Sequence, residues 1–389
     1  MSVPPPLVWR RPMAARDTTE QHRASTPLEL FFDLCFVVAV AAAAAQLHHA
    51  EGEAHVSSGL PSYLMVFFAI WWAWMNVTWF ASAYDSQDVT YRVAVLAMIA
   101  GALVLAAGVP RAFTESDFTV VTLGYVVMRI PLVLLWLRAS RHDPERRATD
   151  RRMALGVTLC QVGWVLLLLA PGAVKSVGFL LLVVAELSVP FLAERGTPTP
   201  WHPEHIAERY GLFTLIVLGE SVLAGSVAIG EALDLDQLAD VWPVAVGGLL
   251  LVFSMWWKYF ARPADDLLTS SATAFRWGYG HYLVFASAAA VGAGIAVNVD
   301  AATGLGELDA RAAAATVTVP AAIYIATVWW LHLRPHEDEP SRGYLVAVGV
   351  PALLLSTFAP EPVLVAGLVA AALVAAAVVL DVRAQSSPR

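Results

Sequence analysis

The sequence predicts an all-α membrane protein, a polytopic bundle of about twelve transmembrane helices. Of its 389 residues, 58% are hydrophobic and only 14% are charged, and the mean hydropathy is +0.63. A soluble domain usually carries about 25% charged residues, whereas an apolar run of about 20 residues matches the hydrocarbon thickness of a bilayer. Such runs recur along the whole chain between short polar stretches. They favour membrane spans over the core of a soluble domain.

Twelve apolar segments are the candidate spans, with boundaries defined to within a few residues. In chain order they cover residues 27–47, 61–81, 91–110, 117–138, 152–170, 174–193, 206–229, 238–260, 277–298, 310–332, 343–358 and 363–382. The eleventh is short and bounded by prolines, so ten or eleven spans are also compatible with the sequence. The residues before the first span are basic and lack the apolar region of a signal peptide, which predicts a cytoplasmic tail.

The basic residues predict the orientation of these spans. If the N-terminus is cytoplasmic, 20 of the 24 Lys and Arg residues fall in cytoplasmic segments. The exceptions are Arg111, Lys175 and Arg311 in outer loops and Arg129 within the fourth span. An excess of Lys and Arg in cytoplasmic loops is the rule for inner-membrane proteins. We therefore expect a multi-pass protein of the cell (inner) membrane with both termini in the cytoplasm.

A faint internal repeat suggests how the spans are organised. Trp71-Trp72 ends the run "VFFAIWW", and Trp256-Trp257 ends the similar run "LVFSMWW" six spans later. Basic loops also follow the fourth and tenth spans, as in transporters built from parallel repeats. The expected organisation is a basic cytoplasmic tail (1–26), a first six-helix repeat (27–193), a cytoplasmic linker (194–205), a second six-helix repeat (206–382) and a cytoplasmic tail (383–389). The alternative is that Trp pairs and basic loops simply recur at membrane interfaces.

Ionisable residues within the spans are the functional candidates, because burying charge in a membrane is costly and usually marks a pathway or a site. The candidates for buried proton or ligand binding are Glu29, Asp33, Arg129, Glu186, Glu220 and Ser221. The candidates for a polar cluster at the cytoplasmic mouth are Asp85, Asp88, Arg92, His205, Glu208 and Arg209. Because most of these residues fall in the cytoplasmic half of the spans, we expect one polar cavity open to the cytoplasm.

The seventh span predicts the depth of that cavity. At 100° per residue, the eleven residues from Arg209 to Glu220 return to within about 20° of the same helix face, about 16 Å deeper. His205 shares this face with Arg209. Glu220 is then the deep end of a polar stripe, and Ser221 can hydrogen-bond a neighbouring helix.

The same residues allow simpler interpretations. The carboxylates can pair with Arg92, Arg129 and Arg209 as structural salt bridges, although acids outnumber bases in this set. Asp85 and Asp88 can bind Mg²⁺ through carboxylate oxygens, but a solvated loop or helix cap explains them equally well. The stretch "WWAWMNVTWF" is expected to form an interfacial belt and packing face. Phosphate loops, zinc motifs and nucleic-acid-binding signals do not occur in the sequence.

Four stretches resemble the low-temperature-requirement A (LtrA) family of bacterial membrane proteins. They are "TPLELFFDLCFVVAVA", "WWAWMNVTWFASAYDSQDVTYR", "YVVMRIPLVLLWLRA" and "WHPEHIAERYGLFTLIVLGES". The resemblance runs from about Ser25 to Val382, and the later part matches in hydropathy only. It implies a multi-pass inner-membrane protein, named for a link to growth in the cold, and no particular activity. The motif residues of the resemblance include nearly all of the candidates that the cost of burying charge selects, Glu186 excepted.

Three functions remain open from the sequence. The first is proton- or cation-coupled transport of a small solute, with Glu220 and Asp33 as protonation candidates and Arg129 as a counter-ion or a ligand for substrate anions. The second is an intramembrane enzyme that acts on a lipid or prenyl diphosphate with Mg²⁺ as its cofactor. There Asp85 and Asp88 would bind metal, and Arg92 and Arg209 the phosphates. The third is a structural or sensory membrane protein. The expected partners are the lipid bilayer and a small-molecule or lipid substrate.

Overall fold

The computed structural model describes residues 8–17, 20, 24–234, 237–336 and 341–386, and this part of the chain is helical with no β-strand. Its twelve α-helices are α1 (Pro27–Gly52), α2 (Val56–Tyr84), α3 (Val89–Thr114), α4 (Thr119–His142), α5 (Arg147–Leu168), α6 (Gly172–Ala193), α7 (Pro203–Asp234), α8 (Leu238–Tyr259), α9 (Ser271–Thr303), α10 (Ala310–Val328), α11 (Ser341–Leu355) and α12 (Pro362–Ser386). A π-helical turn, Trp329–Leu333, continues α10. The predicted all-α fold is confirmed.

Eleven helices in the described residues are long and apolar enough to cross a membrane. The exception is α11, whose apolar stretch Gly343–Phe358 is shorter and contains Pro351. At 1.5 Å per residue, the 15 residues of α11 extend about 22 Å, less than the hydrocarbon thickness of about 30 Å. The chain is a multi-pass membrane protein, and its number of spans depends on α11.

The chain divides into two compact units, each assembled from separate segments. Unit 1 contains the described residues of Met1–Ala42 and Phe68–Tyr210, and unit 2 those of Ala43–Phe67 and Gly211–Arg389. In unit 1, α3 packs on α4, α4 on α5 and α5 on α6; in unit 2, α9 packs on α10, α10 on α11 and α11 on α12. The neighbour order is therefore similar after a shift of six helices, while the predicted duplication stays a prediction.

Side-chain caps define where several helices begin and end. Asp88 precedes α3 and accepts a hydrogen bond from the backbone N–H of Tyr91, and Ser270 does the same for Thr273 at the start of α9. Such caps satisfy N–H groups that have no partner within the helix. At the other end of α9, Gly304 takes a left-handed conformation with φ +76°, which glycine adopts without steric penalty.

Close backbone approach holds α3 against α4 in unit 1. A Cβ atom added to Gly124 would lie 2.5 Å from the backbone nitrogen of Leu105, and one added to Gly101 would lie 2.8 Å from the carbonyl oxygen of Gly124. Small residues at such positions allow membrane helices to pack without an intervening side chain. This packing fixes α4, which carries Arg129 and Arg138, against the middle of α3.

Candidate functional site

Charged side chains from α1 and α7 form a buried network in unit 1. We call Glu29, Asp33, Trp74, His205 and Arg209 the Arg209 cluster. Each of these residues is at most 4% exposed. Charged groups are buried this deeply only when they are paired or hydrogen-bonded. The contacts within the cluster are therefore needed for its burial.

The start of α1 positions the first carboxylate. The Thr26 hydroxyl accepts a hydrogen bond from the Glu29 backbone N–H at 3.3 Å, and Glu29 Oε2 accepts hydrogen bonds from the Thr26 N–H and hydroxyl at 2.8 Å. This reciprocal arrangement is a capping box, and Pro27 occupies the first helical position, where no N–H is required. Asp33 follows one turn later, so both carboxylates face the same side of the helix.

Arg209 binds both carboxylates of the cluster. Its Nε and Nη2 donate to the Asp33 carboxylate at 2.8 and 2.5 Å, and its Nη1 lies 3.2 Å from Glu29 Oε1. The Trp74 indole N–H donates to Asp33 at 2.7 Å, and His205 Nε2 lies 3.1 Å from Glu29 Oε1. Asp33 is therefore held by a two-pronged, charge-assisted pair. Glu29 is shared between a permanent cation and an imidazole.

The charge of the cluster depends on His205. When both carboxylates are ionised, Glu29, Asp33 and Arg209 sum to one net negative charge while the imidazole is neutral. A proton on His205 brings the total to zero. Because a buried net charge is costly and histidine exchanges protons at physiological pH, the cluster is a candidate site for a proton or another cation.

A second buried ion pair in unit 1 joins Arg129 to Glu186 at 2.6 Å, with both side chains at most 4% exposed. The indole N–H groups of Trp72 and Trp164 each donate to the Glu186 carboxylate at 2.8 Å. The Arg129 guanidinium also lies 4.8 Å from the centre of the Tyr125 ring. This pair is electrically neutral and its acceptor atoms are engaged, which is the pattern expected of a structural contact.

Asp88 links the start of α3 to the N-terminal segment. Its carboxylate accepts hydrogen bonds from the backbone N–H groups of Tyr91 and Arg11, both at 2.8 Å, and forms an ion pair with Arg138. Arg138 also donates to the Arg11 carbonyl at 2.7 Å. Burial by itself would raise the pKa of Asp88, but these hydrogen bonds hold that pKa below its usual value. Asp88 is therefore an ionised clamp on residues 8–17.

The described part of the predicted basic tail is packed within unit 1. Met13 is 1% exposed, the Arg16 N–H donates to the Ala83 carbonyl at 3.2 Å, and the Thr90 hydroxyl donates to the Trp9 carbonyl at 2.7 Å. The tail also includes residues 1–7, 18–19 and 21–23, which lie outside the described residues. Within the described residues, this segment is part of the fold.

A cavity of about 490 Å³ lies between this segment and the turn after α2. Its charged lining residues are Arg11, Arg16, Asp17, Glu20 and Asp85. The Gln87 side-chain amide donates to Asp85 at 2.6 Å, and its nitrogen lies 3.5 Å from the Thr26 hydroxyl. Because Thr26 binds Glu29, polar groups connect the cavity with the Arg209 cluster.

The two aspartates that the enzyme alternative assigns to Mg²⁺ bind N–H donors instead. Asp85 accepts hydrogen bonds from the Gln87 backbone and side chain, and Asp88 is engaged by Arg138 and two backbone N–H groups. Among the described residues, no group of three or more His, Cys, Asp or Glu side chains could hold a metal ion. In the structure both carboxylates are engaged by protein donors, and the Mg²⁺ role stays a prediction.

Two candidates for the cytoplasmic mouth lie apart from the charge network. Glu208 accepts a hydrogen bond from the Ser25 backbone N–H at 2.9 Å, just before α1 begins. Arg92 is exposed on α3. The cation that pairs with Asp88 is Arg138, which was not among the candidates predicted from the sequence.

The deep candidates of α7 belong to unit 2. Glu220 is half-buried and makes no hydrogen bond or ion pair with the described residues. The neighbouring Ser221 is buried, and its hydroxyl donates to the Ala288 carbonyl of α9 at 3.0 Å. The structure therefore gives Ser221 a helix–helix contact within unit 2.

Sequence reasoning missed the indole donors of both buried networks. Trp72 and Trp74, expected in an interfacial belt and packing face, are at most 1% exposed and donate to Glu186 and Asp33. One signal was available, because a buried indole N–H needs an acceptor and the spans contain few acceptors other than carboxylates. Which carboxylate each indole binds could not be inferred from the sequence alone.

Comparison with known proteins gives two matches. The profile of the family described as "Bacterial low temperature requirement A protein (LtrA)" matches residues 24–381. An uncharacterised protein of Rhizobium meliloti (strain 1021) is 28% identical over 290 residues, which cover 68% of this chain and 67% of the relative. No solved structure matches the chain.

Proposed function

We propose that this chain, which belongs to the bacterial low temperature requirement A (LtrA) family, transports a small solute across the membrane coupled to protons or another cation. The observation that supports this proposal is the charge of the Arg209 cluster. Two buried carboxylates share one guanidinium, and a buried imidazole lies 3.1 Å from one of them. Such a site changes its net charge when it takes up one proton.

Coupling requires that the bound cation changes contacts that hold helices together. Glu29 belongs to α1, and His205 and Arg209 belong to α7. A proton on His205 strengthens the contact between His205 and Glu29. It also weakens the interaction of Arg209 with the same Glu29 oxygen. After loss of that proton, the two carboxylates again share the single guanidinium of Arg209. Proton occupancy therefore biases how α1 is held to the start of α7.

Access to the site is proposed from the cytoplasm. The distribution of Lys and Arg predicts that the N-terminus is cytoplasmic, and the cavity of about 490 Å³ lies beside the N-terminal segment. Hydrogen-bonding groups lead from Asp85 through Gln87 and Thr26 to Glu29. This route is short and polar, as proton or small-ion entry requires.

The test uses everted membrane vesicles that contain the protein. The interior of the vesicles is acidified, and a pH-sensitive acridine dye reports the proton gradient. Na⁺, K⁺, short amines and amino acids are added one at a time. We expect at least one of them to release the proton gradient, and His205→Gln to reduce the rate about tenfold or more. The matched control is His202→Asn, because His202 is also buried at the start of α7 but binds the backbone carbonyl of Glu20 at 2.7 Å.

Three outcomes would overturn the transport proposal. One is a wild-type response no larger than that of protein-free vesicles with every solute. Another is a response that His205→Gln and His202→Asn change equally. The third is Mg²⁺-dependent binding of a prenyl diphosphate to the purified protein, which would favour the enzyme alternative.

A further inference from the structure

Three aromatic polar side chains meet in the interior of unit 2, outside the Arg209 cluster. Tyr259 ends α8, His281 lies on α9, and His332 lies in the π-helical turn after α10. We call these three residues the His281 cluster. They are 4%, 0% and 1% exposed, respectively.

The hydrogen bonds of His281 fix which of its nitrogens faces the cluster. Its Nδ1 lies 2.7 Å from the Trp277 carbonyl, one turn back on α9, so this nitrogen carries a proton and donates. In a neutral imidazole the Nε2 atom then has one lone pair and no proton. A histidine whose Nδ1–H is held by a backbone carbonyl, with Nε2 turned toward the ion, is the usual arrangement for a metal ligand.

Two other polar atoms converge on that single lone pair. The Tyr259 hydroxyl lies 2.9 Å and His332 Nε2 lies 3.2 Å from His281 Nε2. One lone pair accepts one well-formed hydrogen bond, so hydrogen bonding by itself does not account for both approaches. The three groups therefore lie closer together than hydrogen bonds in a neutral network account for.

The spacing of the two imidazoles suits a tetrahedral metal ion. Two nitrogen ligands at about 2.0–2.1 Å from Zn²⁺ lie about 3.3 Å apart when the ligand–metal–ligand angle is tetrahedral. The observed Nε2–Nε2 distance is 3.2 Å, and the ring centres are 5.2 Å apart. The centres of the Tyr259 and His332 rings are 4.5 Å apart, and the Tyr259 hydroxyl lies 2.9 Å from His281 Nε2.

We propose that Tyr259, His281 and His332 bind a divalent transition metal ion, with Zn²⁺ as the representative. The two imidazoles bind through Nε2, the side chain of Tyr259 binds through its oxygen after releasing its proton to solvent, and a fourth position remains for water. Imidazole favours Zn²⁺, Cu²⁺ and Ni²⁺ over Mg²⁺ and Ca²⁺. The π-helical turn at Trp329–Leu333 is the local feature that presents His332, and such turns are rare in helices and frequent at functional sites.

The experiment uses the full-length protein, purified in detergent with a tag that contains no histidine and stripped of metal with a chelator. Co²⁺ is titrated first, because a tetrahedral Co²⁺ site gives intense visible absorption bands, and Zn²⁺ is then used to displace it. We expect one Co²⁺ per chain, tetrahedral bands, and complete displacement by Zn²⁺. This measurement is made on the wild type and does not depend on the folding of any variant.

The variants locate the site. We expect His281→Asn and His332→Asn each to weaken metal binding by at least about tenfold, and Tyr259→Phe to shift the Co²⁺ bands. The matched control is His336→Asn, because His336 lies one turn beyond His332 but contacts the Pro263 carbonyl at 3.1 Å. Variants are compared only when they elute as single peaks in size-exclusion chromatography.

Two results would overturn the metal site. The first is a wild-type protein that binds no Co²⁺ or Zn²⁺ at micromolar concentration. The three side chains would then be held together by hydrogen bonds alone. The second is binding that both histidine substitutions leave unchanged. Neither result affects the transport proposal, which concerns unit 1.

Discussion

At the residue scale, unit 1 contains two buried arginines whose positive charges are paired in different ways. Arg129 is matched by one carboxylate, Glu186, and the charges cancel. Arg209 is shared by two carboxylates, Glu29 and Asp33, so these three charges do not cancel among themselves. Burial in a membrane makes this difference consequential, because low dielectric amplifies any charge imbalance. The balanced pair suits structure and the unbalanced cluster suits binding.

A double-mutant cycle measures how much the ion pair between Arg129 and Glu186 contributes to the free energy of unfolding, and so tests its structural role. We expect Arg129→Met to cost about 3–5 kcal/mol of unfolding free energy, since it leaves a buried carboxylate without its cation. The double variant Arg129→Met/Glu186→Gln should recover part of this loss, because no uncompensated charge remains. Denaturant-induced unfolding in detergent measures both. A double variant as unstable as the sum of the two single variants would contradict this interpretation.

At the scale of elements, the first turn of α3 depends on a side chain that also ties down another segment. Asp88 caps the helix through the Tyr91 N–H and holds residues 8–17 through Arg11 and Arg138. A polar cap and a buried ion pair therefore share one carboxylate. The cavity beside Asp85 exists because this segment is held in place.

The clamp predicts a defined dependence of stability on pH. Because hydrogen bonds hold the pKa of Asp88 below its usual value, the ionised carboxylate contributes its full stability above the unfolded-state value of about 3.9. This contribution is lost as pH falls through the lower folded-state pKa. Asp88→Asn should therefore melt at a lower temperature than wild type at pH 7, and the difference should shrink below about pH 4.

Thermal unfolding in detergent between pH 3 and pH 7 tests this prediction. The matched control is Glu115→Gln, because Glu115 is exposed and its ion pair with Arg111 spans 3.6 Å. We expect the control to change the melting temperature little at any pH, since exposed ion pairs contribute little. A difference between wild type and Asp88→Asn that persists unchanged at pH 3 would refute the clamp.

At the scale of the whole molecule, the number of spans decides on which sides the termini lie. Among the described residues, eleven helices are long and apolar enough to cross a membrane. Helix α11 is apolar but too short to meet the same length criterion. Twelve spans place both termini on one side, whereas eleven place them on opposite sides. The excess of Lys and Arg in alternate loops favours twelve.

We therefore expect fusions at the N-terminus and at the C-terminus to report the same compartment. Green fluorescent protein should fluoresce at both ends, and alkaline phosphatase should be inactive at both ends, because each reporter works on only one side of the inner membrane. An alkaline phosphatase fusion after Thr303 is the control for an outer loop and should be active. Opposite results at the two termini would show that α11 does not cross.

The sequence was sufficient for the helices and for most charged candidates. The predicted span 27–47 corresponds to α1 (Pro27–Gly52), because a capping box followed by a long apolar run leaves little choice in lipid. The cost of buried charge likewise selected Glu29, Asp33 and Arg209. It overlooked His332, because a histidine beside basic loop residues has no distinguishing pattern.

What the sequence determined by itself is therefore the class of protein, the order of its helices and the residues whose burial demands a partner. Hydropathy and period act locally along the chain, so they can be read without a structure. Only the tertiary structure decided the partners: Asp33 with Arg209, Asp88 with Arg138, and His281 with His332. Asp33 and Arg209 are 176 residues apart in the chain. Contacts between such distant residues depend on helix packing, which no local pattern specifies.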